Sequence, residues 1–261
     1  IIFFFPTGWV GIDPSRSVFN TIRNLFLIPI LAFRGDSVGE EGHKFTESWF
    51  PYVDYIAFID ASLHHLVYGS NPKAIQMVQS FNNKVFYDRK VLKDIDVSFI
   101  GYLDRSPERA EYVNFLRNSG INVVTAGGHE NGSLSWEEYG SLMSRSKISL
   151  AFTHNVLTGR IFEIMACKTM IIEDYNDEAK QYFIEGDDII SAEDKEDMLA
   201  KVRFFLNYDS EREKITNAGY EKVTKLYNTK NMWAYVLNKV GFHVLGDSYY
   251  GDYYTKMESL R

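Results

Sequence analysis

The 261-residue sequence has one cysteine, and none of its apolar runs is long. Cys167 alone cannot form an intramolecular disulfide or a cysteine-based zinc site, which fits a reducing compartment and leads us to expect a cytoplasmic protein. We interpret Cys167 as a small buried residue. The most apolar run, residues 25–33, contains Pro29 and is nine residues long, whereas a membrane-spanning helix needs about 20 apolar residues. We therefore expect no transmembrane segment.

The sequence also lacks runs of Lys and Arg, and its formal net charge is −7. Nucleic-acid binding depends on clustered basic side chains that neutralise phosphates, so the composition argues against this class of partner. A metal site is not expected either, because His129 has no second ligand at a suitable spacing.

The first residues, Ile-Ile-Phe-Phe-Phe, contain no methionine and follow no basic segment. This pattern is typical neither of a signal peptide nor of a natural chain start. We therefore expect further residues upstream of Ile1 and an incomplete first domain.

Short apolar runs alternate with amphipathic segments along most of the chain. This alternation predicts an α/β fold of βαβ units with parallel sheets, here two doubly wound, Rossmann-like domains. A polar connection around residues 82–96 separates them, and we place the boundary between residues 93 and 94. The predicted strands are 1–5, 29–33, 55–59, 97–100, 122–126, 148–152, 169–173 and 188–191. The predicted helices are 17–26, 46–52, 107–119, 136–144, 160–167, 177–184, 195–206, 210–226 and 230–240.

Ligands of open parallel sheets bind beyond the carboxyl ends of the strands, where helix N-termini favour phosphate. The loop of residues 101–106 occupies such a position. Arg105 and Arg109 could bind a departing diphosphate there together with backbone N–H groups. They could equally be solvated and pair with Asp104 or Glu108.

Two further loops, residues 127–132 and 153–159, lie at corresponding positions. The first is flexible enough to approach a planar base, although a plain surface loop is the common explanation of such a sequence. The second leads into a helix on which Glu163 lies near the N-terminus, where a carboxylate can accept two hydrogen bonds from a ribose diol. The alternative is an i, i+3 ion pair between Arg160 and Glu163.

An ordered series of segments resembles the C-terminal domain of group 1 glycosyltransferases, and within them the spore-maturation-type subgroup. The resemblance covers about residues 94–240. It is carried by Asp-Val-Ser-Phe-Ile-Gly (96–101), Leu-Ser-Trp-Glu-Glu-Tyr (134–139), Lys-Ile-Ser-Leu (147–150) and Gly-Arg-Ile-Phe-Glu-Ile-Met-Ala-Cys (159–167).

The resemblance implies a GT-B architecture. Residues 1–93 would be the latter part of the acceptor-side domain, which they resemble more weakly. Residues 94–229 would be the nucleotide-sugar-binding domain. Residues 230–261 would be a helix that crosses back to the first domain, followed by a tail.

Several residue roles follow from the resemblance. Glu163 matches the second glutamate of the family's E-x7-E motif, which binds the donor ribose. Asn155 stands at the first glutamate, where it can hydrogen-bond a sugar hydroxyl but cannot act as a carboxylate, and Lys168 stands where the family usually has glycine. The expected catalytic residues are Asp36, Asn155 and Arg109, and the expected donor-binding residues are Gly101, Arg105, Gly127, His154, Thr158, Gly159, Arg160 and Glu163.

The implied reaction is transfer of a glycosyl group, expected to be a hexosyl group, from a nucleoside diphosphate sugar to an acceptor hydroxyl, without a metal or cofactor. UDP is an expected nucleotide, and the acceptor could be a carbohydrate, a lipid-linked molecule or a protein. Two alternatives remain open. One is a non-catalytic nucleotide-sugar-binding module descended from such an enzyme. The other is a different doubly wound protein, although the lack of a G-x-G-x-x-G motif disfavours a dehydrogenase.

Overall fold

The chain divides into two compact units. The first unit comprises residues 1–78 together with 230–261, and the second unit comprises residues 79–229. The structure, a computed structural model, describes residues 2–4, 15–34, 44–59, 74–103, 106–127, 132–153 and 156–260. Across these ranges, no helix is both long and apolar enough to span a bilayer.

The first unit contains a four-stranded parallel sheet in the order β1-β2-β3-β4. Its strands are β1 (Ile2–Phe4), β2 (Ile30–Arg34), β3 (Tyr55–Phe58) and β4 (Ala74–Gln76). Its helices are α1 (Arg16–Phe26), α7 (Thr229–Lys239) and α8 (Tyr250–Ser259). The centre of its core is formed by Phe19, Ile30, Ala32, Trp49, Val53 and Ile56.

The second unit contains a five-stranded parallel sheet in the order β6-β5-β7-β8-β9. Its strands are β5 (Ile95–Ile100), β6 (Val123–Ala126), β7 (Ser146–Ala151), β8 (Met170–Asp174) and β9 (Ile190–Ala192). Its helices are α2 (Pro107–Asn118), α3 (Trp136–Arg145), α4 (Gly159–Ala166), α5 (Lys195–Asn207) and α6 (Asp209–Lys225). Apolar side chains of the five strands, among them Val97, Val123, Ile148 and Ile172, pack under these helices.

The strand order of the second unit fixes where a ligand would bind. Strand β5 pairs with β6 on one side and with β7 on the other, so the direction of winding reverses at β5. In doubly wound sheets, ligands bind at this switch point, outside the carboxyl ends of the strands. The loops that follow Ile100 and Ala151 meet there.

Local capping signals in the second unit match the structure. The Ser135 side chain accepts a hydrogen bond from the Glu138 N–H, and the Glu138 carboxylate accepts one from the Ser135 N–H. These two bonds form the predicted capping box of α3. Gly120, the predicted stop of α2, has a φ of +87°, which glycine adopts without steric cost.

Two predicted helices are wrong. Residues 46–52 are mostly turns, with helix only at 44–47. Residues 177–184 contain only a 3-10 turn, Ala179–Gln181. There, the Ile184 N–H donates to the Asp188 carboxylate at 2.7 Å instead of continuing a helical ladder. A contact with the side chain four residues further along the chain has replaced the helical backbone bond that the pattern predicts.

Residues 79–93, expected in the first domain, belong to the second unit because they pack against α3. Gly140 makes this contact possible, since a Cβ at this position would lie 2.3 Å from the carbonyl oxygen of Val85. The Lys93 ammonium then donates to the carbonyl oxygens of Ser144 and Ser146, at 3.1 Å and 2.9 Å. The polar segment is therefore a packed part of the second unit.

Candidate functional site

Arg109 lies in the first turn of α2, at the switch point of the sheet. Its Nη2 donates a hydrogen bond to the carbonyl oxygen of Phe152, 3.1 Å away, directly after β7. Its Nε is buried and has no hydrogen-bond partner within the described ranges. Arg109 and Phe152 line a cavity of about 290 Å³ together with Tyr112 and Asp174. The guanidinium therefore keeps an unused buried donor at the carboxyl edge of the sheet.

Three side chains of α3 and α4 form a connected group. The Tyr139 hydroxyl donates to Glu163 Oε2 at 2.7 Å. Arg160 Nε lies 3.9 Å from the same oxygen, and the guanidinium carbon lies 4.8 Å from the centre of the Tyr139 ring. The ion pair that the spacing allowed is present, and both contacts of the carboxylate use Oε2.

Burial dominates the electrostatics of this group. It raises the pKa of Glu163, which Arg160 partly counteracts. It also lowers the pKa of Arg160, an effect that Glu163 opposes and the positive charge of Arg109 increases. Arg160 Nη1, like Arg109 Nε, is buried without a hydrogen-bond partner in the described part of the chain. Two guanidinium groups with unused buried donors suit an anion that offers several acceptor oxygens, such as a diphosphate.

Residues between β7 and α4 bond to the side chain at the end of β8 and to one that follows this strand. Asp174 accepts hydrogen bonds from the N–H and the hydroxyl of Thr153, at 2.6 Å and 2.9 Å. Glu178 accepts one from the N–H of Leu157 at 2.8 Å. These bonds fix the direction in which α4 starts, and so the positions of Arg160 and Glu163.

Thr158 and Gly159, two predicted donor-binding residues, form the start of α4. Thr158 is the N-cap with extended backbone, and its side chain makes no capping hydrogen bond. The Gly159 N–H donates to Gln79 Oε1 at 3.1 Å, and a Cβ on Gly159 would lie 2.6 Å from the Gln79 side chain. Gly159 therefore has a packing role, since its N–H is already bonded to protein.

Gly101 and Gly127 lie beside each other at the ends of β5 and β6. The Gly101 N–H donates to the carbonyl oxygen of Ala126 at 2.9 Å. Gly127 has a φ of +77°, and a Cβ on it would lie 3.5 Å from the Gly101 nitrogen. The two glycines extend the sheet edge as bare backbone.

The structure thus brings Arg109, Arg160 and Glu163 to one edge of the sheet. Sequence reasoning missed Tyr139, because no spacing rule connects a residue of α3 to one of α4. Four predicted site residues lie outside the described residues: Asp36, Arg105, His154 and Asn155.

The sequence of residues 90–238 matches the glycosyl transferase-like family. The chain belongs to this family. The match begins with the polar segment that packs on α3, covers the rest of the second unit and extends into α7. It therefore includes Arg109, Tyr139, Arg160 and Glu163.

Solved structures similar to this glycosyl transferase-like protein show its fold. Sucrose-phosphate synthase from Thermosynechococcus elongatus aligns with a TM-score of 0.61 at 15% identity, covering 87% of this chain and 69% of that one. Anabaena Alr3699/HepE in complex with UDP and glucose gives a TM-score of 0.69 at 8% identity, covering 87% and 76%. A glycosyltransferase from Rickettsia africae gives 0.57 at 11% identity, covering 88% and 82%.

These alignments span both units, and the chain has the GT-B fold. Comparison with curated protein sequences gives no match.

Proposed function

We propose that this protein transfers a glycosyl group from a nucleoside diphosphate sugar to an acceptor hydroxyl. The observation that carries the proposal is the pair of arginines beside Glu163 at the switch point of the second sheet, Arg109 and Arg160, each with one buried nitrogen that has no partner among the described residues. The Anabaena relative in complex with UDP and glucose supports this class of donor.

In the proposed reaction, the bond between the anomeric carbon and the diphosphate oxygen breaks, and its electron pair leaves with the nucleoside diphosphate. The acceptor oxygen bonds to the anomeric carbon and loses its proton to a base. Negative charge grows on the diphosphate as its bond breaks, so hydrogen bonds from Arg109 and Arg160 strengthen towards the transition state. We propose that these two charges neutralise the leaving group without a metal ion.

Glu163 is proposed to bind the donor ribose. Tyr139 and Arg160 both contact Oε2 and so orient the carboxylate, which leaves Oε1 outside these contacts. A partly buried carboxylate held in this way can accept hydrogen bonds from a diol with little loss of side-chain entropy.

The proposal includes four more specific properties. The transferred group is a hexosyl group, the chain belongs to the spore-maturation-type subgroup, its location is cytoplasmic, and the first unit binds the acceptor. Asp36 is the proposed acid/base or acceptor-positioning residue. The remaining proposed donor contacts are Arg105, His154, Asn155, Thr158, Gly101 and Gly127.

A thermal-shift series with nucleoside diphosphates and their monophosphates tests the donor class. Selective binding to the folded state stabilises by about 2.7 kcal/mol at a ligand concentration 100 times Kd. We expect UDP or another diphosphate to raise the melting temperature more than its monophosphate, and this difference to shrink in the Arg109→Ala variant. Equal shifts with both nucleotides would count against a diphosphate site at Arg109.

A non-catalytic nucleotide-sugar-binding module is the second candidate, and Asn155 favours it because it replaces a family carboxylate. A hydrolysis assay distinguishes an enzyme from a binding module. It measures the free sugar that is slowly released from a bound UDP-sugar. Hydrolysis that Arg109→Ala abolishes supports the enzyme. Tight donor binding without hydrolysis, and without transfer to any of a panel of glycosides, supports the module.

A further inference from the structure

A second cavity, of about 460 Å³, lies at the amino ends of β5, β7 and β8. This is the edge of the sheet opposite to Arg109. We call it the basic cavity, because its lining includes the basic residues Lys90, Lys93, Lys147, Lys168 and Arg212. Among the described residues, the acidic side chains that line it are Asp88 and Glu213, so five positive and two negative side chains give a formal charge of +3. The whole chain, in contrast, carries −7.

Two of the five cations have carboxylate partners that do not line the cavity. Lys147 Nζ lies 2.7 Å from Asp96 Oδ1, and Arg212 Nη1 lies 2.6 Å from Asp209 Oδ1. These two ion pairs reduce the positive charge of the basic cavity. The charges of the three other lysines, Lys90, Lys93 and Lys168, remain.

Lys93 and Lys168 share Asp88 of the cavity lining as a nearby carboxylate. Lys168 Nζ lies 3.6 Å from Asp88 Oδ2, and the other Asp88 oxygen accepts the backbone N–H of Lys90 at 2.9 Å. The Lys93 ammonium donates to neutral oxygens, including Thr169 Oγ1 at 3.0 Å. Burial lowers the pKa of Lys93 to about 8; the nearby Cys167 and Asp88 oppose this lowering, and the charges of Arg212 and Lys168 add to it. Like charges gathered in this way repel one another unless an anion lies between them.

The backbone supplies an independent observation. Three described residues other than glycine have a left-handed φ: Leu27, Lys90 and Lys168. Two of them, Lys90 at +52° and Lys168 at +54°, line the basic cavity. This conformation is unfavourable for residues with a Cβ, and glycine adopts it freely. At Lys168 this conformation ends α4 in a capping turn, in which the Thr169 N–H donates to the carbonyl oxygen of Ile164 at 3.3 Å. Glycine is the usual residue at such a position, whereas here both left-handed residues supply an ammonium group to one cavity.

We propose that the basic cavity binds a small anion with two or more phosphate charges, at a site separate from that of the sugar donor. Lysine ammonium groups act as point charges that bind phosphate oxygens without a planar geometry. A volume of about 460 Å³ falls in the range of small-molecule sites. The bound anion would bridge Lys90 and Lys168 and relieve the repulsion around Lys93.

The test is a calorimetric titration of the protein with inorganic pyrophosphate at constant ionic strength, with sodium sulfate as the control anion. The key variant is Lys168→Gly, because it removes the charge and suits the left-handed backbone, so the protein stays folded. We expect its affinity for pyrophosphate at the basic cavity to fall roughly tenfold, equivalent to about 1.4 kcal/mol. Lys90→Gly should act in the same direction.

Three matched variants isolate this effect. Lys214→Ala removes one charge from α6 outside the basic cavity, and Leu27→Gly changes the third left-handed residue. Neither should alter pyrophosphate affinity. Arg109→Ala removes the proposed donor contact, and binding at the basic cavity should persist in it.

No pyrophosphate binding, equal affinity in Lys168→Gly and the unmodified protein, or binding that only Arg109→Ala abolishes would overturn the proposal. The proposed transferase function does not depend on this site. A failure here therefore leaves the donor site intact, and the nucleotide tests above distinguish the two.

Discussion

Glu163 shows how far single residues could be predicted. Its place near a helix start, together with the family resemblance, makes it a candidate ribose-binding residue, which stays a prediction. The spacing offered an ion pair with Arg160 as the alternative, and this ion pair is present. The hydrogen bond from Tyr139 was not predictable, because it depends on how α3 and α4 pack. Lys168 shows the same limit: the sequence marks an unusual lysine, whereas only the structure shows its left-handed backbone.

Replacing Glu163 by alanine should weaken nucleoside diphosphate binding without unfolding the protein. The expected loss is about tenfold or more, because hydrogen bonds to a charged group contribute about 1.5–3 kcal/mol. Calorimetry with UDP and GDP measures it, with circular dichroism as the test of folding. Glu221→Ala, which removes an exposed carboxylate of α6, is the matched control. Unchanged affinity in Glu163→Ala would remove this residue from the site.

Glu173, on β8, leads to a prediction about pH. It is completely buried, and its Oε1 has no hydrogen-bond partner in the described ranges. Burial, reinforced by Asp174, raises its pKa well above the ordinary 4.5. The folded state therefore holds the proton more tightly than the unfolded state, so the contribution of Glu173 to stability declines as pH rises above about 4.5.

Glu173→Gln replaces this carboxyl by a neutral group of the same shape. Relative to the unmodified protein, its free energy of unfolding should increase between about pH 5 and about pH 7.5. At the upper end the gain should reach about 1–3 kcal/mol, the usual cost of burying an unsatisfied polar group. Urea titrations at several pH values measure the difference. A variant that becomes progressively less stable than the parent as pH rises would show that Glu173 is a well-paired carboxylate.

For helices and strands, a prediction from sequence is reliable when the stabilising contacts come from residues of the same element. Helix α3 carries its own signal, since Ser135 and Glu138 cap it locally. The predicted helix at residues 177–184 fails because Asp188 takes the N–H of Ile184. Helix α8 was not predicted from the tyrosine-rich tail, because it depends on packing with α7, as in the 5.8 Å contact of Tyr253 with Tyr235.

Gly140 provides a test of how the polar segment packs on α3. A Cβ in Gly140→Ala would lie 2.3 Å from the backbone oxygen of Val85, which cannot move cheaply. We expect a loss of about 1–3 kcal/mol in the free energy of unfolding, typical of overpacking. Gly251→Ala in α8 is the control, because in the described part of the chain no atom beyond its own helix turn lies within 4 Å of the added Cβ. That control should be neutral or slightly stabilising, and equal effects of both substitutions would show that Gly140 is not a packing contact.

For the whole molecule, alternating patterns were enough to predict two parallel sheets, because strands and helices differ in the spacing of their apolar residues. The doubly wound strand order that was predicted for both is present in the second sheet, and the described strands of the first run in the sequential order β1-β2-β3-β4. The boundary at residue 93 was less predictable. Residues 79–93 are polar, which is typical of a linker, yet their side chains and carbonyl groups bond to the second unit. The basic cavity was also invisible in the sequence, since its cations come from four separate segments.

The central claim is that a nucleoside diphosphate sugar binds at the carboxyl edge of the second sheet. Hydrogen exchange of the protein with and without UDP-glucose, read by mass spectrometry, tests it most directly. The account predicts slower exchange in peptides covering residues 106–112 and 156–164, which contain Arg109, Arg160 and Glu163, and a smaller effect in the Glu163→Ala variant. Protection confined to the amino edge, around residues 90–93 and 212–217, or no protection at saturating UDP-glucose, would contradict it.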